Sequence, residues 1–247
     1  ADFGYQEVNL NVGCPSKHAV EGCFGAHLMQ YPEKVGECLL AMKRSNLPVS
    51  MKCRIGIKGR ESFEYMLRFL DIIYSISGVN KFYIHARIAI LGGISPKKNR
   101  TIPPLKYDFV YRLKQERPMF KIIINGGITS LDEAQKHLQK VDGVMIGRAG
   151  YYDPVMLYGV DELIKGENVL KKDIKDTPNL QDICRKLDED ALCHFGKNQP
   201  VWPLARHVLG LYYKQPGAKK FRHFISQFGP QAKAGDFLFT RAWEQAG

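Results

Sequence analysis

Between residues 7 and 146 the chain repeats one pattern. A short run in which apolar positions alternate with polar ones gives way to a longer stretch whose apolar positions recur every three to four residues. The first kind is the signature of a strand with two unlike faces, the second of an amphipathic helix. Strands are predicted at 7–12, 49–55, 81–85, 120–124 and 143–146. Helices are predicted after each. One has Pro32 in its first turn and Val35, Leu39 and Met42 on one face; the next runs over 63–76. The others cover 105–114, start at Ser130 with Glu133 completing a capping box, and start at Pro154. Strand followed by helix, five times over, is the pattern of parallel βαβ units. From 166 to 178 the composition turns to Lys, Asp, Glu and Asn and reads as a linker. Beyond it, helices are predicted at 180–195, 201–213 and 218–227 with no strand between them. The predicted organisation is therefore an α/β domain over 1–165, a linker, and a small all-α domain over 179–247.

Five units do not close the common barrel of parallel strands, which takes eight. Either the sheet is open and doubly wound, or three leading units lie upstream. The chain lacks an initiator Met and enters a strand almost at once, so a (β/α)8 barrel with its first three units missing is the expectation.

The strand ends carry the candidate chemistry, because active sites of parallel α/β folds collect at the C-terminal ends of strands. In Val8-Asn9-Leu10-Asn11-Val12-Gly13-Cys14-Pro15-Ser16 a thiol follows the first strand, three residues after Asn11. The second strand holds Lys52 between Met51 and Cys53, costly in an apolar strand unless its ammonium meets an anion or a polar cavity. The third ends in His85-Ala86-Arg87, the fourth in Asn125-Gly126-Gly127 and the fifth in Gly147-Arg148. Two glycine-bearing strand ends leading into helices make a phosphate cradle, to which Arg148 adds a bidentate contact. A long loop at 87–104 is glycine-rich and then basic, with Lys97 and Arg100, and suits a polyanion.

The whole chain bears 36 basic and 25 acidic residues, a net charge of +11, which points to nucleic acid before any other partner. In the helical part, Arg206-His207, Lys214, Lys219, Lys220 and Arg222 are interleaved with Tyr212, Tyr213 and Phe221, cations for phosphates and rings for stacking. No run of eighteen apolar residues exists and the first residues do not read as a secretory leader, so neither membrane insertion nor export is expected. The six cysteines, mostly in predicted elements, suit a reducing, cytoplasmic setting. The spacing C-x3-H-x4-C-x3-H of Cys14, His18, Cys23 and His27 raises a zinc reading, disfavoured because no small metal module surrounds it; no metal is expected. Asn99-Arg100-Thr101 reads as a chance sequon.

Taken in order, these motifs resemble the tRNA-dihydrouridine synthases, most closely their A-type branch. The resemblance is carried by the Cys14 segment, Phe24-Gly25-Ala26, Lys52-Cys53-Arg54-Ile55-Gly56, His85-Ala86-Arg87, Gly93-Ile94-Ser95-Pro96-Lys97, Asn125-Gly126-Gly127-Ile128, Gly147-Arg148-Ala149, Arg206-His207-Val208-Leu209-Gly210-Leu211 and Gln215-Pro216-Gly217-Ala218. It implies an FMN-containing (β/α)8 barrel, a helical tRNA-binding domain, NADPH as reductant, and reduction of D-loop uridine to 5,6-dihydrouridine. Under it Cys14 is the acid that protonates C5, and Asn11 orients the uracil. Lys52, His85, Asn125, Gly126, Gly127, Gly147 and Arg148 hold the flavin. Arg87, Lys97, Arg100, Arg206, Lys219, Lys220 and Arg222 contact RNA. A monomer acting on tRNA is expected. After Arg87 the sequence departs from the branch, with Ile88 and Ile90 where a Lys and an aromatic are usual. Two other readings compete: an FMN barrel acting on a small molecule, and an inactive chain that only binds tRNA.

Overall fold

The computed structural model describes residues 4–165 and 179–247, so the predicted linker at 166–178 lies outside the described residues. The described chain divides into two compact units: Ala1–Ile128 with Glu133–Ile146, and Thr129–Asp132 with Gly147–Gly247.

The first unit is built on five parallel strands that stand in sequence order: β1 (Val8–Asn11), β2 (Val49–Arg54), β3 (Lys81–His85), β4 (Lys121–Asn125) and β5 (Gly143–Met145). Every predicted strand forms, within two residues of its expected ends. A doubly wound sheet reverses its strand order at a switch point. Here the order runs 1-2-3-4-5 without reversal, as in the wall of a barrel. Between the strands lie α1 (Lys17–Glu21), α2 (Pro32–Met42), α3 (Phe63–Ser77), α4 (Tyr107–Glu116) and α5 (Leu131–Leu138). Ser62 caps α3 by accepting from Tyr65 N at 3.1 Å, and Gly78 ends it in the left-handed conformation. Its buried face is Phe63, Met66, Phe69, Leu70, Ile73 and Ser77, and it packs along α2.

Side chains alternate across a strand, and here the alternation separates two chemistries. One face of the sheet carries Met51, Cys53, Phe82, Ile84, Ile122 and Ile124, all fully buried, and forms the core under the helices. The other face carries Asn9, Asn11, Ser50, Lys52, Arg54, Lys81, Tyr83, His85 and Asn125. The pattern read from Val8 to Val12 is thus the local form of a property of the whole sheet.

The second unit holds α6 (Arg148–Tyr152), α7 (Val160–Ile164), α8 (Leu180–Phe195), α9 (Trp202–Ala205), α10 (Ala218–Phe228) and α11 (Leu238–Ala246). Its core is a cluster that includes Cys184, Ala191, Phe221, Ile225, Leu238, Phe239 and Ala242. Three expectations change here. The helix predicted at 201–213 is helical only over Trp202–Ala205. Beyond it the backbone closes i to i+3 turns, such as Val208 N to Ala205 O at 3.2 Å and Tyr213 N to Gly210 O at 2.9 Å. The helix expected to begin at Pro154 is a 3-10 turn over Pro154–Gly159 leading into α7. And α11 was not anticipated, because its cap is not local. Phe237, in the left-handed conformation, offers no side-chain bond. Instead buried Asp188 of α8 accepts from Phe239 N at 3.0 Å and Thr240 N at 2.8 Å.

Asp188→Ala leaves two helix N–H groups without partners in a dry site. It is expected to destabilise the second unit by about 3 kcal/mol. Faster amide exchange over residues 238–246, with exchange in α3 unchanged, is the readout; equal protection in both proteins would contradict the capping role.

Candidate active site

The site grows from the end of β1. Asn11 Oδ1 accepts from Gly13 N at 3.0 Å, which turns the chain sharply and delivers Cys14 just past the sheet edge. The carbonyl of Cys14 accepts from Ala26 N at 2.8 Å. Gly25 makes that contact possible. Its φ is +59°, and a Cβ there would stand 2.6 Å from Cys14 O and 3.0 Å from Cys14 Cβ. The thiol lies 3.3 Å from Ser16 Oγ, which also caps α1 by accepting from Ala19 N at 3.2 Å. Cys14 is half-buried.

Strand register then aligns the expected residues. Asn11 pairs with Lys52, Lys52 with Tyr83, and Tyr83 with Ile123, on the polar face. One rung further, Arg54 pairs with His85, His85 with Asn125, and Asn125 with Met145. Asn11, Lys52, His85 and Asn125, chosen from sequence alone, therefore share two adjacent rungs. Lys52 lines a pocket with Glu7, Asn9, Tyr83 and Met145. Burial lowers its pKa from the ordinary lysine value; Cys53 opposes that, and Arg54 adds a lesser push in the same direction as burial.

Asn125 Nδ2 donates to Met145 O at 2.8 Å, tying β4 to β5. Gly126 and Gly127 both have positive φ, +118° and +74°. A Cβ on Gly126 would meet His85 Cδ2 at 2.5 Å, and one on Gly127 would meet Leu105 Cδ1 at 2.6 Å. His85 and Leu105 pack directly on this turn, so a side chain at either position would have to displace them. Tyr107 OH donates to Gly126 O at 2.5 Å and fixes the turn from behind.

Two charged groups of the face escaped sequence reasoning. Glu7 accepts from Ser50 Oγ at 2.5 Å, from Tyr83 OH at 3.2 Å and from Lys81, joining β1, β2 and β3 at the wall of the pocket. Burial alone would raise its pKa, yet the bonds from Lys81, Ser50 and Tyr83 and the Lys81 charge together hold it below the ordinary glutamate value. Its position two and four residues before Asn9 and Asn11 was the available signal. Arg54, 3% exposed, donates Nε to Gly13 O at 3.0 Å and one terminal nitrogen to Ile88 O at 2.8 Å and Asn99 O at 3.0 Å. It thereby ties the cysteine segment to the loop after β3. Burial lowers its pKa to about 10; Cys14 works against that, while Arg87 and Arg100 add to it. Arg54 thus stays charged at neutral pH, with Cys14, Arg87 and Arg100 all within electrostatic reach.

The loop at 87–104 is an ordered structure. Arg87 donates to Thr101 O at 3.3 Å and to Pro103 O. Fully buried Asn99 binds Ile90 twice, its Oδ1 accepting from Ile90 N at 2.8 Å and its Nδ2 donating to Ile90 O at 2.9 Å. A side chain so engaged is no glycan acceptor. Ile88, at a departure from the branch pattern, is buried at 8% exposure and lends its carbonyl to Arg54. Lys97 and Arg100 are exposed. The zinc spacing does not converge: His18 packs edge-on against Phe24, His27 lies against Tyr31, and among the described residues no three metal-ligand side chains gather.

Gly147 and Arg148 belong to the second unit. A Cβ on Gly147 would meet nothing within 4 Å, so the protein's own packing does not require glycine there. On α10, Lys219, Lys220 and Arg222 are exposed. Arg206 is exposed too; its Nε donates to His207 Nε2 at 3.0 Å, and His207 Nδ1 pairs with Tyr151 OH at 3.0 Å. The expected stacking rings divide. Tyr212 and Phe221 stack on each other at 4.4 Å inside the core, while Tyr213 is exposed beneath Lys214 Nζ. Apolar rings close to a helix junction were claimed by the core, a demand that composition does not reveal.

The family model for dihydrouridine synthases (Dus) matches residues 1–245. Among curated proteins, the tRNA-dihydrouridine(20/20a) synthase of Shewanella oneidensis is 44% identical over 245 residues, covering 99% of this chain and 71% of the relative. Those of Vibrio parahaemolyticus and Xylella fastidiosa are 43% and 39% identical over 91% and 98% of this chain, and over 67% and 69% of their own lengths. A thiol held at the end of a strand, above a polar face with a half-buried lysine, is thus found in a chain matched almost end to end: the protein belongs to the dihydrouridine synthase family.

Proposed function

We propose that this chain reduces uridine in the D-loop of tRNA to 5,6-dihydrouridine, with FMN as cofactor, NADPH as reductant and Cys14 as the acid. The observation that carries the reading is the placement of Cys14. Four backbone and side-chain bonds hold its segment beside the rungs that bear Asn11, Lys52, His85 and Asn125. We read the five strands as the later part of a (β/α)8 barrel, whose interior is the polar face. The proposed domains, catalytic over 1–165 and helical tRNA-binding over 179–247, differ from the compact units in one respect: residues 129–132 and 147–165 group with the helical unit.

The residues suit a flavin phosphate ester. The turn at Gly126 and Gly127, both at positive φ, would offer backbone N–H groups to a phosphate. Lys52, which lines the pocket with Glu7, Asn9, Tyr83 and Met145, and His85, which borders the same glycine turn, would hold the flavin. Gly147 and Arg148 are kept as further cofactor contacts on the resemblance. Reduced flavin, when bound, supplies the hydride to uracil C6.

Asn11 spends its Oδ1 on Gly13 N, which leaves its amide N–H groups to donate to a uracil carbonyl. Cys14 gives its proton to C5, and the nearby Arg54 guanidinium stabilises the negative charge left on sulfur. A target base must leave its stack to reach this rung. Arg87, Lys97, Arg100, Arg206, Lys219, Lys220 and Arg222 are the proposed contacts to the surrounding RNA.

The test is incubation of the protein, loaded with FMN and supplied with NADPH, with unmodified tRNA transcripts, followed by nucleoside mass spectrometry. Dihydrouridine in the D-loop is the expected product. A flavin-coloured protein, absorbing at roughly 450 nm, that yields no dihydrouridine on any tRNA would overturn the reading. Changing Lys219, Lys220 and Arg222 together to Ala is expected to weaken tRNA binding about tenfold or more. The slope of log affinity against log salt should drop by about 2 to 3. An unaltered slope would remove α10 from the RNA contact surface.

A further inference from the structure

We infer that Ser16 is a positioning residue for Cys14: its hydroxyl accepts from the thiol at rest and donates to the thiolate that proton transfer leaves behind. The inference rests on the proposed acid role of Cys14. Three observations carry it. Cys14 Sγ and Ser16 Oγ are 3.3 Å apart, within hydrogen-bonding range for sulfur. Ser16 Oγ already accepts from Ala19 N at 3.2 Å, so α1 fixes the oxygen in place while its own proton is free to turn. And the bonds at Gly13 N, Gly13 O and Cys14 O hold the cysteine backbone, so the thiol reaches Ser16 without a loop movement.

Only a hydroxyl serves both protonation states with one atom. Oxygen keeps a second lone pair for S–H, and O–H rotates to face S⁻. The two bonds are unequal. S–H is a weak donor, whereas O–H to an anion is charge-assisted and about twice as strong as a neutral bond. Ser16 therefore makes its stronger bond to the sulfur once the proton has been handed on. In the reaction the S–H bond breaks and C5–H forms, while the hydrogen at C6 arrives as hydride from reduced flavin. The base is reduced, the flavin is oxidised, and the S–H electron pair stays on sulfur, where Ser16 O–H meets it. Water restores the proton afterwards.

Three variants of the FMN-loaded protein separate this role from capping. Ser16→Ala removes both bonds. Ser16→Asp keeps a strong cap for Ala19 N but has no proton to give at pH 7. Ser16→Thr keeps both functions. Two quantities are read: the single-turnover rate of dihydrouridine formation on tRNA, and the alkylation rate of the Cys14 peptide by iodoacetamide at pH 7, followed by mass spectrometry. Ser16→Ala and Ser16→Asp are expected to lower both by three- to tenfold, and Ser16→Thr to restore both to within twofold. If Ser16→Asp matches the parent protein in both, Ser16 only caps α1 and the inference fails. Unchanged alkylation in Ser16→Ala also overturns it, with the reaction reading intact. Should the parent protein make no dihydrouridine while alkylation still falls in Ser16→Ala and Ser16→Asp, the reaction reading fails and the role of Ser16 toward the thiol stands.

Discussion

Cys14→Ala is expected to lower the single-turnover rate of dihydrouridine formation by at least about 10²-fold, the usual scale for losing a positioned general acid. FMN content and tRNA affinity should stay within about twofold. The separation follows from what Cys14 touches. Its backbone carbonyl, not its sulfur, anchors Ala26, and its sulfur meets only Ser16 among the bonded neighbours described above. Alanine preserves the first bond and loses the second. The polar rungs of Lys52, His85 and Asn125 keep their register through β2, β3 and β4 and do not depend on the thiol. Absorbance of the bound flavin, filter binding of tRNA and nucleoside mass spectrometry measure the three quantities. Turnover within threefold of the parent protein would take Cys14 out of the mechanism. Loss of flavin along with activity would make it a structural residue.

Much of this site was legible because a strand has period two. Val8, Leu10 and Val12 separated from Asn9 and Asn11 announce one wet and one dry face. The same rule places Lys52 and Asn125 on the wet side. What stayed hidden has a common cause. Glu7 and Arg54 stand at the ends of strands, where charged residues are ordinarily solvated, and only the folded chain shows that Glu7 is tied to Ser50 and Tyr83 and that Arg54 is buried against loop carbonyls. Asp188 is a cap supplied from 51 residues away, so no local signal marked α11. Tyr212 and Phe221 sat among cations and read as stacking rings, yet they stack on each other within the core of the second unit. Local period predicts which face a residue takes; it does not predict which distant group completes that residue's bonds.

Arg54 gives the second large effect, and here stability and chemistry should fall together. Its guanidinium meets three carbonyls, of Gly13, Ile88 and Asn99, two of them in buried surroundings. Arg54→Met keeps the bulk and removes every donor. Three acceptors lose a charged partner, while the cost of burying the guanidinium disappears. Bonds to charged groups contribute about 1.5–3 kcal/mol each, so a net loss of about 3 kcal/mol is expected after that relief. For a chain of this size the melting midpoint should drop by about 6–12 °C. Gly13 would lose one of its two anchors, and the basic loop its tie to the cysteine segment. The rate of dihydrouridine formation at 20 °C, well below the transition, is therefore expected to fall by at least tenfold. Arg54→Lys discriminates charge from geometry. It restores a cation near Cys14, but a single ammonium cannot span three carbonyls as the planar fork does. It should recover less than half of the lost stability. Full recovery of midpoint and rate by lysine would show that charge alone matters. A midpoint within 2 °C of the parent protein in Arg54→Met would mean that the two loops hold their places without it.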